Sequence, residues 1–291
     1  MKSSSSKKAK IGIIGGSGLY DMDGFSNKRL VKVKTPFGDP SAPLILGEIS
    51  GIPCAFLARH GNGHTILPQE INVRANIWAL KSVGVERLIG VTAVGSLKEE
   101  LPPRHFVFPN QIFDLTHGRA ATFFGNGIVA HTAFHTPFCL EQSKIIFEKS
   151  VSLGINSHQG GTYVCMQGPL FSTKAESRFY KSLGFSVIGM TASTEAKLAR
   201  EAELCYSLIS LVTDYDCWKD GEEVSADIVT SVMHDNSKNA QKLLVSAISE
   251  IAKREAHCSC PEAMKHAIVT SPKAIKPAVK KKLALIIGKY T

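Results

Sequence analysis

The sequence predicts a single α/β domain, a mixed and twisted β-sheet flanked by helices in three layers. Short apolar runs of strand length alternate with helical stretches, which calls for a sheet covered on both faces. No Pro/Gly/Ser-rich linker divides the chain and no internal repeat is visible. Five of the apolar runs end in polar loops, and in α/β sheets ligands collect at such strand ends. A chain of 291 residues is long enough to bury roughly three quarters of its unfolded surface without metal or disulfide staples.

In chain order, strand candidates lie at 11–14, 44–49, 53–58, 87–94, 105–109, 161–166, 186–190 and 206–213, each a β-branched or aromatic run bounded by turn residues. Helices are expected at about 69–83, 139–153, 173–183, 194–203 and 225–254. Ile71, Ala75, Trp78 and Leu80 form a buried stripe in the first, and Gly84 offers its stop. Thr173 and Glu176 fit a capping box at the start of the third. Residues 1–10 read as a flexible Ser/Lys-rich leader and 11–291 as the domain.

The net charge of +9 suggests a polyanionic partner until it is located. Ten lysines stand in residues 1–10 and 271–291, segments without Asp or Glu, and the rest of the chain holds 24 basic against 25 acidic residues. No aromatic residues interleave with the leader lysines as stacking platforms, so no nucleic-acid partner is expected. No apolar run is long enough to span a membrane, and no signal-peptide pattern opens the chain. The expected compartment is the cytoplasm.

The polar loops carry the chemistry. Ile11–Ile14 runs into Gly15-Gly16-Ser17-Gly18, whose spacing is neither G-x-G-x-x-G nor a P-loop. It can be a tight turn or a cradle in which backbone N–H groups and the Ser17 hydroxyl approach an anion. Arg59-His60 sets a guanidinium fork beside an imidazole, which suits a tetrahedral oxyanion, or else closes a structural ion pair at the sheet edge. Thr92 and Thr191 add hydroxyl donors from other strand ends. One arginine and a few hydroxyls suit inorganic phosphate better than a triphosphate, which recruits Mg²⁺ through a nearby carboxylate.

Asp214-Tyr215-Asp216 follows a strand, and alternation puts both carboxyls on one side. Like charges in one pocket favour keeping one acid protonated. A protonated Asp donates to a ring nitrogen while its neighbour accepts from an exocyclic amine. A glycosidase pair is the weaker alternative, since such acids flank the scissile bond. His131 and His135 stand at i,i+4 without the Glu of H-E-x-x-H. His257-Cys258-Ser259-Cys260 and His266 hold enough ligands for zinc, but a single C-x-C is a weak signal, and no metal is expected. The seven cysteines read as thiols, with a Cys258–Cys260 bridge left open.

Together these motifs identify a family. The runs at 15–19 (GGSGL), 58–61 (ARHG), 72–76 (NVRAN), 92–96 (TAVGS), 168–172 (GPLFS), 190–191 (MT) and 213–218 (TDYDCW) resemble the trimeric purine nucleoside phosphorylase superfamily, and within it the methylthioadenosine phosphorylases. The resemblance covers roughly residues 10–250. It implies that Ser17, Arg59, His60, Thr92, Ala93 and Thr191 hold phosphate. Met190 would pack on the ribose and Phe171 on the purine, with Ser172 lining the base pocket. Asp214 would be the catalytic acid at N7 and the 6-amino group, beside Asp216. His64 and Val229 would wall the 5′ side, and His131 would reach in from a neighbouring subunit. The resemblance also implies Ser172 and Ala226 as specificity positions, Ala226 standing where the animal enzyme carries a bulkier valine.

The implied reaction is phosphorolysis of S-methyl-5′-thioadenosine to adenine and 5-methylthio-α-D-ribose 1-phosphate, the alternative being a broader purine nucleoside phosphorylase. The implied assembly is a homotrimer or dimer of trimers. No cofactor is implied, phosphate being a co-substrate. The C-x-C pair is like that of thermophilic archaeal members.

Overall fold

The computed structural model describes residues 8–16, 19, 22–221 and 225–291. Eleven strands among them form one mixed sheet: β1 (Ile11–Gly15), β2 (Phe25–Val31), β3 (Leu44–Ile49), β4 (Ile52–Ala58), β5 (Arg87–Ser96), β6 (Phe106–Phe108), β7 (Gln111–Asp114), β8 (Ser157–Gln159), β9 (Thr162–Cys165), β10 (Val187–Gly189) and β11 (Cys205–Asp214). Six α-helices accompany it: α1 (Val73–Ser82), α2 (Leu140–Ser152), α3 (Lys174–Ser182), α4 (Ala192–Glu201), α5 (Ala226–Ile251) and α6 (Pro277–Ile287). Helices α1, α4 and α6 pack together, as do α2 and α5, giving the helical layers of a three-layer α/β fold.

Three strands escaped the sequence reading. β2 alternates too weakly, six of its seven residues being exposed or half-buried, and β7 and β8 are short and polar. The two-residue turn joining β3 to β4, Ser50-Gly51, has φ of 51° and 76°, the primed geometry that matches strand twist. α1 starts at Asn72, whose side chain accepts from the Ala75 amide, and ends before Gly84 at φ 102°. The expected capping box on α3 is present: Glu176 N donates to Thr173 Oγ1 at 3.2 Å and Thr173 N to Glu176 Oε2 at 2.7 Å.

Both basic ends take part in the fold. Ala9 is buried and the Lys10 carbonyl accepts from the Glu86 and Arg87 amides, so the fold takes in residues before Ile11; residues 1–7 lie outside the described residues. The lysine-rich C-terminal run, expected in the domain but without a helix of its own, is helical. It forms α6, which buries Leu283, Ile286 and Ile287 in the core while its lysines face outward. Charge density masked the apolar stripe beneath.

The long strand β5 positions the site. One edge pairs with parallel β11 along its length. On the other edge β1 pairs with Arg87–Gly90, and antiparallel β10 takes over only at Gly95 and Ser96. Among the described residues no strand covers that edge between these partners. The sheet parts there, and residues 91–95 line a cavity.

Candidate active site

The cavity has a volume of about 1310 Å³ and is walled by the ends of β1, β4, β5, β10 and β11, the Pro169–Phe171 loop and one face of α5. Of the residues singled out from sequence, Arg59, His60, His64, Thr92, Ala93, Phe171, Met190, Thr191, Asp214, Asp216 and Val229 line it. Ser172 stands just behind, its Oγ 3.8 Å from Met166 Sδ and its carbonyl accepting from Cys217 Sγ. Ala226 is exposed at the start of α5, outside the lining. His131 is exposed and lies in a segment hydrogen-bonded to the Ala267 region, also outside the lining. Ser17 lies outside the described residues.

Arg59, the residue after β4, is 2% exposed. Its Nε donates to Glu195 Oε1 at 2.5 Å and Nη2 to Glu195 Oε2 at 3.1 Å; Nη1 reaches the Val91 carbonyl and Nη2 also the Ile14 carbonyl. Burial opposes its charge, but the Glu195 carboxylate outweighs that and holds the guanidinium above its ordinary pKa. Tyr206 donates a further bond to Glu195 Oε2 at 2.8 Å. The fork, open from sequence to an anion or an ion pair, engages Glu195 and ties together the ends of β1, β4 and β5 while still lining the cavity. Glu195 and Tyr206 were missed because nothing local distinguishes a helix glutamate or a strand tyrosine as buried partners.

His60 is set differently. Its Nδ1 lies 2.9 Å from the Ile66 carbonyl, which can only accept, so the ring proton sits on Nδ1 and leaves Nε2 as an acceptor. Burial, reinforced by Arg59, lowers its pKa to about 4, and the ring stacks on His64 at 4.3 Å. The imidazole is neutral at physiological pH. Thr191 precedes α4, and its Oγ1 is buried without a partner in the protein. The ten-residue helix directs the positive end of its dipole at this spot, while its first amides face the Tyr163 hydroxyl and the Cys165 thiol.

At the far end of β11 a bulge between Val212 and Asp214 brings Asp214 opposite Gly95. Asp214 Oδ2 accepts from Thr213 Oγ1 and Oδ1 from the Asp216 amide, both at 2.7 Å. The alternation argument does not reach Asp216: the strand has ended, and Asp216 turns at φ 50°. The turn, not the pleat, brings the second carboxyl into the cavity. Asp216 is 3% exposed with Oδ2 unpartnered. Burial pushes its carboxyl above its ordinary pKa, against the pull of the Ser177 and Ser172 hydroxyls. Met233, His234, Ser237, Lys238 and Lys242 on α5 extend the wall; of that helix sequence reading had picked Val229 and Ala226, and only an amphipathic scan aimed at the cavity could find the rest.

A parted sheet with an anion-ready helix start and two carboxyls at the opposite strand end belongs to a known architecture. Residues 10–249 match the model of the phosphorylase superfamily. The chain is 53% identical over 284 residues to an S-methyl-5′-thioadenosine phosphorylase of Koribacter versatilis, covering 97% of each, and 49% identical to one of Geobacter sulfurreducens, covering 96% and 98%. Among solved structures, a methylthioadenosine phosphorylase from an antarctic soil metagenomic library superposes with a TM-score of 0.92 at 45% identity, covering 96% of this chain and 98% of that one. The Schistosoma mansoni methylthioadenosine phosphorylase in complex with adenine gives 0.84 at 37% identity, covering 89% and 96%. Sequence and fold agree along nearly the whole length, and the chain belongs to the phosphorylase superfamily.

Proposed function

We infer that this chain cleaves S-methyl-5′-thioadenosine with inorganic phosphate, yielding adenine and 5-methylthio-α-D-ribose 1-phosphate. The observation that carries the reading is the pairing, in one cavity, of an anion pit at the α4 start with two adjacent carboxyls, one of them held toward its acid form by burial. The relatives named above, methylthioadenosine phosphorylases of Koribacter versatilis, Geobacter sulfurreducens and Schistosoma mansoni, support the substrate.

Phosphate sits at the parted edge. The Val91 carbonyl on that edge is taken by Arg59; two residues on, alternation turns the Ala93 amide the same way, toward the cavity. That amide and the Thr92 and Thr191 hydroxyls supply donors, with the positive end of the α4 dipole behind them; Ser17 lies outside the described residues. Neutral His60 accepts through Nε2 from a protonated phosphate oxygen. Arg59 acts mainly as a positioning residue, fixing the strand ends that carry these groups. Met190 packs against the ribose and Phe171 against the purine, with His64 and Val229 on the 5′ side.

As the glycosidic bond stretches, positive charge grows on the ribose and negative charge on the leaving base. Bound phosphate offsets the first and then attacks C1′. The Asp214/Asp216 pair meets the second: sharing one proton, it donates to N7 and accepts from the 6-amino group. Phosphate is the co-substrate and no cofactor takes part. The chain works as a homo-oligomer, a trimer or dimer of trimers, in which the exposed His131 completes a neighbour's site.

Adenine release from methylthioadenosine, followed in phosphate-free buffer and then with added phosphate, tests the reading. Saturable dependence on phosphate is expected, and equal turnover without it rejects phosphorolysis. Light scattering at assay concentration tests the assembly, and an active monomer rejects it.

A further inference from the structure

Away from the cavity, four cysteines from three parts of the chain converge. Cys139 immediately precedes α2, Cys205 opens β11, and Cys258 and Cys260 come from the loop after α5. Their sulfurs all lie within 4.8 Å of one another, with Cys205 Sγ and Cys258 Sγ at 3.3 Å, and none is bridged. Cys139, Cys205 and Cys260 are 2–4% exposed, and Cys258 is half-buried. None of the four lines the cavity.

We propose that these four thiols form a structural metal site for a soft, tetrahedral divalent ion of the zinc class. A tetrathiolate zinc centre has metal–sulfur distances of about 2.3 Å, which puts its sulfurs roughly 3.8 Å apart. The sulfur separations, 3.3 Å at Cys205–Cys258 and within 4.8 Å for the rest, need to change by no more than about an ångström to reach that geometry. Soft thiolates select zinc over the oxygen-seeking cations. Four thiolates around a divalent ion leave two negative charges, and Arg200 stands to meet them: its Nη1 is 3.7 Å from Cys260 Sγ, while Nη2 donates to the Thr136 carbonyl in the segment that leads to Cys139. With all four positions protein-filled, the ion has no open site, so its role is structural and not catalytic.

The location gives that role content. Between α5 and α6 the described chain has a 3-10 turn at Cys260–Glu262 and a single bridge from Ile268 to Ala130. Two ligands from this stretch and one each from the start of α2 and of β11 tie the C-terminal segment to the central sheet. β11 is the strand whose other end carries Asp214.

Elemental mass spectrometry on full-length protein, purified without chelator and then exposed to zinc under reductant and gel-filtered, tests the proposal. About one zinc per chain is expected. Cobalt(II) in its place should give thiolate charge-transfer and tetrahedral d–d absorption bands, lost in Cys258→Ser and Cys260→Ser. Unreduced protein unfolded in chelator should then titrate seven thiols, and chelation of folded protein should lower the inactivation temperature with the initial rate changed less than about twofold. Reduced wild-type protein that retains no zinc and shows no tetrathiolate cobalt bands overturns the proposal, whether or not the serine variants fold. So does metal-free unreduced protein that titrates only three thiols, because the four sulfurs would then be two disulfides.

Discussion

Replacing Arg59 should damage the fold before it damages phosphate binding. The guanidinium and Glu195 carboxylate are 2% and 1% exposed and joined through two hydrogen bonds. Arg59→Met removes both, leaves Glu195 with Tyr206 as its remaining donor, and strips partners from the Val91 and Ile14 carbonyls. Breaking a buried pair from one side costs about 3–5 kcal/mol, because a charge remains without compensation. At a few degrees per kcal/mol, that is a fall on the order of 10 °C in melting temperature. Glu195→Gln, which strands the guanidinium instead, should cost a similar amount, and Arg59→Met/Glu195→Leu should recover much of the loss. Melting at fixed protein concentration, with phosphate KM measured at 25 °C, is the assay; fixed concentration matters because assembly contributes to stability. A guanidinium that chiefly grips phosphate predicts the opposite pattern, with phosphate binding weakened by about 2–3 kcal/mol, roughly 30–150-fold, in Arg59→Met. In that case stability would barely change, and Glu195→Gln would melt within a degree or two of wild type. That result would refute the positioning argument.

His60, with its pKa lowered from 6.5 to about 4, makes stability pH-dependent. Above pH 6.5 folded and unfolded chains both hold it neutral; as pH falls from 6.5 to 4 only the unfolded chain takes up the proton, so stability is lost across that window, by about 3 kcal/mol. Urea unfolding of His60→Gln across pH 4–7 should show a shallower acid limb than wild type, and identical limbs would contradict the assignment. For base reading, 6-amino substrates should beat inosine by at least ~10-fold in kcat/KM, about 1.4 kcal/mol, and Asp214→Asn should shrink the ratio; an unchanged ratio removes Asp214 from recognition. At Gly95 a Cβ would lie 2.9 Å from Asp214 Oδ1 and 3.0 Å from Ile188 Cγ2. Gly95→Ala should therefore lower kcat/KM for methylthioadenosine while leaving phosphate KM near wild type, and a parallel loss in both would place Gly95 in the fold alone.

What was legible in the sequence was whatever leaves a local imprint. Capping residues, apolar alternation and the glycine that ends α1 act over a few positions, and the eight strands expected from apolar runs all formed. β2, β7 and β8 did not register because strand pairing, a non-local event, holds polar segments in place. The same limit governed the site. Arg59 and Asp214 stood out as chemical types beside strand ends, but the Glu195 that engages Arg59 is 136 residues away, and the φ of Asp216 that turns its carboxyl inward is set by a turn. The C-x-C pair looked weak for a metal because a third cysteine lies 53 residues off in sequence yet 3.3 Å away in space.

The parted edge of β5 divides the cavity into two kinds of wall with different futures under mutation. At the proposed phosphate end part of the surface is main chain, an amide left over where one strand partner stops before the next begins. No codon change removes a peptide N–H except one to proline. At the proposed base end recognition would rest on two side chains, and one nucleotide change rewrites either of them. A lineage carrying this scaffold can drift from one purine to another with little structural upheaval. Its dependence on phosphate, by contrast, is held by the path of the backbone and is far harder to lose.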